Sequence, residues 1–232
     1  VSVDLGIDAI HDYLDRFGLG TRSGIDIGGE SNGLVPSREW KRNAFSNRDD
    51  QRWYHGETVI ASIGQGYMLA TPLQLAAAAG TLATRGERYR PHIVAAVEDP
   101  LTGERTLVQP ERLADVEIGN AVHWDTVIGG MHDVLQGVRG TARAVGMGAP
   151  YQMAGKSGTA QVVSIAQDEK YDEIELEERQ RDHALFIAFA PLDDPQIAVA
   201  LIVENGESGS GVAAPIAKSI MDAYLGYEDD AP

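Results

Sequence analysis

Residues 153–162, "MAGKSGTAQV" (Met153 to Val162), admit two readings that lead to different folds. Gly155-Lys156-Ser157 is how a phosphate-binding P-loop ends, whereas Lys156-Ser157-Gly158-Thr159 is how one strand of a serine acyl-transferase site reads. A P-loop needs G-x-x-x-x-G-K-[ST], because its first glycine lets backbone N–H groups curl around the phosphates. That position is Pro150 here, which is stiff and lacks an N–H, and Gly148 lies two residues out of register. A P-loop also continues as a helix, which Gly158 and the β-branched Thr159 and Val162 disfavour. "ALIVE", ending at Glu204, imitates a magnesium-holding strand, but core burial explains it equally well.

The strand reading makes demands that these residues meet. A strand bordering a cleft presents its backbone to an extended peptide, and Gly158 permits an approach that a side chain would block. An oxyanion hole needs a fixed N–H aimed at developing negative charge, and Thr159 N–H lies on the right strand to supply it. Lys156 and the hydroxyls of Ser157 and Thr159 would bind a substrate carboxylate and tune the protons of the site. Lys-Ser-Gly alone is a short signal, equally compatible with a surface lysine beside a turn.

Composition narrows the partners. The 232 residues carry 35 acidic and 19 basic side chains, a formal charge of −16. Such a chain repels nucleic acid and anionic lipid over a Debye length of about 10 Å, so neither is an expected partner. Its four lysines are Lys41, Lys156, Lys170 and Lys218, which makes Lys156 conspicuous in a stretch otherwise uncharged. The absence of cysteine excludes disulfides, thiolate metal sites and cysteine nucleophiles. No apolar run reaches the roughly 18 residues of a membrane span. The chain opens Val1-Ser2-Val3-Asp4, without an initiator Met and already in a helical pattern, so a longer parent polypeptide is expected.

Ile7, Ile10, Leu14 and Phe17 predict a first helix stopped by Gly18. Leu19 to Gly33 reads as loop with a small hairpin, and Ser37 caps a helix over "REWKRN". Thr71 as N-cap, Pro72 at the first helical position and Gly86 beyond the end frame another helix. "RPHIVAAVEDPLTGERTLV" predicts two short strands, and a helix runs from about Trp124 to Leu135. "AQDEKYDEIELEERQRD" reads as a solvated helix or a mobile excursion. "HALFIAFAPLDDPQIAVALIVEN" is a hairpin whose two runs look buried on both faces, and a helix from about Val212 to Leu225 closes the chain. Without repeat or linker, one domain is the simplest reading.

"GLGTRSGIDIGGESNGLVPSREW", "WYHGETVIASIGQGYMLATPLQLAAAAGTLATRG", "GVRGTARAVG", "MAGKSGTAQV" and "RDHALFIAFAPLDDPQIAVALIVENG" follow one another in the order, and near the spacing, of class B penicillin-binding proteins. Over essentially all 232 residues the chain resembles that family, and "PSREW", "WYHGET" and "RDHALFIAFAP" resemble its elongation branch. The resemblance implies an α+β fold, part of the transpeptidase fold shared with serine β-lactamases: a mainly antiparallel sheet flanked by helices. It assigns Lys156, Ser157 and Gly158 to the family's third motif, with Ser for the commoner Thr, and Thr159 to the oxyanion-hole N–H. Gln161 follows on the same strand as a substrate contact. It implies peptidoglycan stem peptides and β-lactams as ligands, a glycosyltransferase of the elongation machinery as partner, no cofactor, and the periplasmic side of the inner membrane. One departure stands out: no serine has Lys three residues on or Asn two residues on, so S-x-x-K and S-x-N are missing. Residues 1–232 therefore look like the C-terminal portion of a transpeptidase domain. A non-catalytic module that binds peptide or a partner is the alternative.

The remaining candidates have plain readings. His11, His55, His92, His123, His132 and His183 show no metal-ligand spacing, so no metal is expected. Asp182-His183 reads as a strand-entry cap, the carboxylates before it as a solvated face, and Gly206, Gly209 and Gly211 as loop.

Overall fold

A glycine interrupts the first helix almost at once. In the computed structural model, which describes residues 1–162 and 178–227, α1 (Ser2–Leu5) and α2 (Ile7–Arg16) meet at Gly6, whose φ of 80° no other residue type adopts cheaply. Gly18 ends α2 by donating its N–H to Asp15 O at 2.8 Å. The predicted hairpin between Leu19 and Gly33 does not form. Its backbone groups pair with side chains instead: the Glu30 carboxylate accepts from Ser23 N and Gly24 N, while Gln74 Nε2 donates to Thr21 O and Asn32 O. That satisfies the same groups without a ladder.

The predicted caps are in place. Ser37 Oγ accepts from Trp40 N at 3.0 Å and starts α3 (Arg38–Ala44). Helix α4 (His55–Ser62) follows, and Thr71 and Gln74 cap α5 (Pro72–Ala83) reciprocally, each side chain accepting from the other's N–H. Strands β1 (Ala96–Glu98) and β2 (Arg105–Leu107) pair antiparallel around a turn held by the Asp99 carboxylate. Apart from the last residues of α5, these elements belong to one compact unit, residues 1–81 with 85–117.

The second unit, residues 82–84 with 118–232, is built on a sheet. After α6 (Val122–Gln136) and the short α7 (Arg143–Gly146) come β3 (Ala154–Ala160), β4 (His183–Ala190) and β5 (Ile197–Val203), antiparallel in the order β3-β4-β5. A π-helical turn, Gly209–Ala213, leads into α8 (Ala214–Leu225), which Gly226 ends in the left-handed region. Phe186 and Ala188 of β4, Met153, Leu135 of α6, and Ala214, Ala217 and Met221 of α8 form the buried core. The small side chains of Ala214 and Ala217 let α8 lie close on the sheet, and Met221 fills the core from the same helical face. Only the central β4 is buried or half-buried throughout; on β5 only Val199 is buried and Ile202 is exposed, because an outer strand has cover on fewer sides. Most of the charged stretch from Ala166 to Asp182 lies outside the described residues; its end forms a single tight turn, Glu178–Gln180.

Candidate functional site

Lys156 stands in a strand, as the second of the two readings expects. The Gly155-Lys156-Ser157-Gly158-Thr159 run lies inside β3 and pairs residue by residue with β4, from Ala154 opposite Phe189 to Ala160 opposite His183. Lys156 and Ser157 therefore stand in mid-strand, where a P-loop would begin its helix, and the P-loop geometry is absent.

Alternation along the strand sorts the side chains. Lys156 and Gly158 take one face, Ser157 and Thr159 the other. Lys156 and Thr159 are exposed, Ser157 is half-buried, and Gln161 is exposed just past the strand end. Lys156 Nζ donates to Ser157 O at 2.5 Å and stands 3.4 Å from Ser157 Oγ, a long contact. Thr159, two residues on, directs its N–H to the same edge of the strand as that carbonyl. Among the described residues β3 has one neighbour, β4, so every second N–H and C=O of β3 points away from the sheet. A cation, two hydroxyls and the backbone groups of a strand edge can hold an extended peptide and its carboxylate. The two glycines differ: a Cβ on Gly155 would stand 2.8 Å from Ile187 O and 2.9 Å from the Phe186 ring, whereas at Gly158 the nearest atom is Leu185 Cβ at 3.3 Å. Gly155 is demanded by packing; Gly158 keeps the strand surface low.

Both ends of β3 are pinned by residues whose partners lie far along the chain. Before it, the buried Tyr151 donates its hydroxyl to Asp222 Oδ1 of α8 at 2.6 Å, and Lys218 Nζ holds Asp222 Oδ2 at 2.5 Å. Burial first, and then Asp222, push the Tyr151 phenol well above its ordinary range, so it stays a donor. After it, Val162 N donates to Asp182 Oδ1 at 3.4 Å, and His183 Nδ1 accepts from Asn205 N at 2.9 Å. Asp182 and His183 thus cap the strand entry, as their position suggested. Tyr151 and Asp222 carry no sequence signal, since their contact spans 71 residues. Among the described residues no grouping of His, Asp and Glu is suited to a metal ion.

The chain belongs to the penicillin-binding protein transpeptidase family: residues 1–222 match the model of the penicillin-binding protein transpeptidase domain. It is 38% identical over 227 residues to the peptidoglycan D,D-transpeptidase MrdA of Haemophilus influenzae, covering 97% of this chain and 34% of that protein. Identity to MrdA of Acinetobacter baumannii is 43% over 224 residues, 95% of this chain and 31% of that one. The chain thus spans about a third of the length of the curated relatives it matches. Among solved structures, Pseudomonas aeruginosa PBP2 in complex with WCK 5153 superposes with a TM-score of 0.81 at 47% identity, over 98% of this chain and 46% of that one. PBP2 of Helicobacter pylori in complex with MreC gives 0.76 at 30% identity, over 97% and 37%. The α+β transpeptidase fold expected from the resemblance is therefore the fold observed.

Proposed function

We propose that these residues are the C-terminal part of the transpeptidase domain of a peptidoglycan D,D-transpeptidase of cell elongation, working on the periplasmic side of the bacterial inner membrane. The observation that carries the reading is the Lys156-Ser157-Gly158-Thr159 strand, paired on one side with β4, in a chain of the penicillin-binding transpeptidase family. In this scheme a serine of an S-x-x-K motif outside these residues attacks the penultimate D-Ala carbonyl of a stem pentapeptide. The bond to the terminal D-Ala breaks, the leaving amine takes up a proton, and the acyl group stays on the serine as an ester. The amine of a neighbouring stem then attacks that ester, which frees the serine and leaves an amide cross-link. Thr159 N–H is one donor to the oxyanion of each tetrahedral intermediate. Lys156 and the hydroxyls of Ser157 and Thr159 receive the substrate carboxylate, and Gln161 borders the bound peptide. A β-lactam takes the first step and stops at the ester. No step needs a metal or cofactor. Among the relatives, a peptidoglycan synthase complex that coordinates polymerization and crosslinking supports a glycosyltransferase partner, and PBP2 in complex with MreC shows that a relative also takes a partner of another kind.

A fluorescent penicillin tests the reading. The full-length polypeptide that contains these residues should be labelled covalently, and the 232-residue chain alone should not. In the full-length protein Lys156→Ala should slow acylation roughly 30- to 1,000-fold, about 2 to 4 kcal/mol, while Ser157→Thr, which keeps the hydroxyl, stays near wild type. A labelled band on the short chain, or wild-type acylation by Lys156→Ala, overturns it. A second reading, a non-catalytic module that binds peptide or a partner, is favoured by the missing S-x-x-K and S-x-N. The coding sequence upstream of Val1 decides between them.

A further inference from the structure

Gly209 is glycine for a different reason from the turn glycines. Gly18, Gly148 and Gly226 have positive φ, which favours glycine by itself, and Gly209 does not. What calls for glycine at 209 is proximity. A Cβ there would stand 2.5 Å from Leu185 O, 2.6 Å from Gly158 O and 3.1 Å from Gly158 N. All three are backbone atoms of the paired strands β3 and β4, so no side-chain rotation relieves the overlap. Gly209 is buried, and it touches β3 one residue before Thr159.

The turn that delivers Gly209 is tied down from several directions. Asn205 and Glu207 are held at φ 56° and 59°, a region that non-glycine residues enter only under constraint. The constraints are specific: Asn205 N donates to His183 Nδ1 at 2.9 Å, Asn205 Nδ2 to Arg181 O at 2.8 Å, and Glu207 N to Asp182 O at 2.9 Å. The Arg181 guanidinium pairs with the Glu207 carboxylate at 3.1 Å. Ser208 then caps the π-helical turn, its Oγ accepting from Gly211 N at 3.0 Å. These bonds offset the backbone cost of two left-handed non-glycine residues and fix the course of the turn.

We propose that the turn Asn205–Gly209 is a positioning element for β3: it seats Gly209 on the Gly158 backbone and thereby sets where the Thr159 N–H stands. The inference deepens the transpeptidase reading and rests on it for the role of Thr159. Gly209 is a positioning residue, not a catalytic one. A Cβ at 209 pushes Gly158 outward and shifts the following N–H, and a displacement of about 1 Å at a reacting centre costs as much as a hundredfold in rate. Contacts made by the Lys156 and Ser157 side chains, which are longer and adaptable, hold substrate with little change.

Two measurements on the full-length protein test this. Stopped-flow reaction with a fluorescent penicillin separates non-covalent affinity from the acylation rate constant. Gly209→Ala should lower the rate constant roughly ten- to a hundredfold and leave the affinity within about threefold. Hydrogen exchange at the Gly158 amide should quicken about tenfold. Gly129→Ala on α6, where a Cβ meets open space, should change neither. A folded Gly209→Ala protein with wild-type acylation, or with unchanged exchange at the Gly158 amide, overturns the inference. Where Gly209→Ala fails to fold, Asn205→Ala decides: it loses the bond to Arg181 O and resists positive φ, so acylation should fall about fivefold. An unchanged rate in Asn205→Ala overturns the inference as well. If the wild-type protein is not acylated at all, the transpeptidase reading fails, and the exchange comparison alone decides whether the turn positions β3.

Discussion

The two units are held together by different chemistry. In residues 1–117 the tight points are polar side chains that reach backbone. Lys41, only 3% exposed, donates Nζ to Arg52 O at 2.8 Å and to Glu57 Oε1, inside a ring of Phe45, Trp53, Tyr54 and Tyr67 at 5.5 to 5.9 Å. Glu57 turns its other oxygen to Tyr54 N and so starts α4 as well. Asp26 accepts from Ile93 N and Val94 N, 67 and 68 residues away. In residues 118–227 the centre is apolar, and polar pairs such as Tyr151–Asp222 and Asp182–Val162 sit where strands begin and end. The difference follows from the backbone. A sheet satisfies its own N–H and C=O groups and leaves side chains to fill the core, whereas a unit rich in loops must bring polar side chains to those groups.

Phe186→Ala should cause the larger loss, because it empties space at the centre of the sheet unit: about 3 to 5 kcal/mol by urea unfolding of the full-length protein. Peptide-resolved hydrogen exchange should show the lost protection in residues 118–227; equal loss in residues 1–117 would break the contrast. Lys41→Met keeps the aliphatic stem among the rings but strands the Glu57 carboxylate and Arg52 O, and should cost about 2 to 4 kcal/mol. Adding Glu57→Gln should recover part of that. A neutral Lys41→Met would mean that the aromatic ring alone holds this region.

Asp26→Asn should have the smallest effect and the clearest pH signature. The Ile93 and Val94 N–H groups hold the Asp26 carboxyl below its ordinary value of 3.8. A depressed folded value stabilises above the unfolded one, and that stabilisation disappears as pH falls through the folded value. The gap in Tm between wild type and Asp26→Asn should therefore be small at neutral pH and close on acidification below about 3.8. A gap that widens in acid would remove Asp26 from the set of polar staples.

Where one residue or one short pattern carries the information, the chain states its structure locally. Ser37 and Thr71 capped the helices they precede, Gly18 stopped α2, and the continuous apolar run of His183–Ala190 formed the central strand. The hairpin expected between Leu19 and Gly33 failed because turn formers describe a loop's flexibility, while Glu30 and the distant Gln74 supply its bonding partners. The second apolar run likewise placed β5 as a strand but overstated its cover, since burial depends on what lies against each face.

The candidate site divides in the same way. By itself the sequence determined that Lys156, Ser157, Gly158 and Thr159 form a strand rather than a phosphate loop, because Pro150 and the β-branched residues after Ser157 are local constraints on φ, ψ and N–H supply. Only the tertiary structure decided what holds that strand in place: Tyr151 on Asp222, Val162 on Asp182, and Gly209 against Gly158. These partners are separated by tens of residues, and in "NGESGSG" a glycine needed for close packing is indistinguishable from one that only turns the chain. Contact between distant segments is set by how the sheet and α8 fold back on each other, and no window of sequence contains both sides of it.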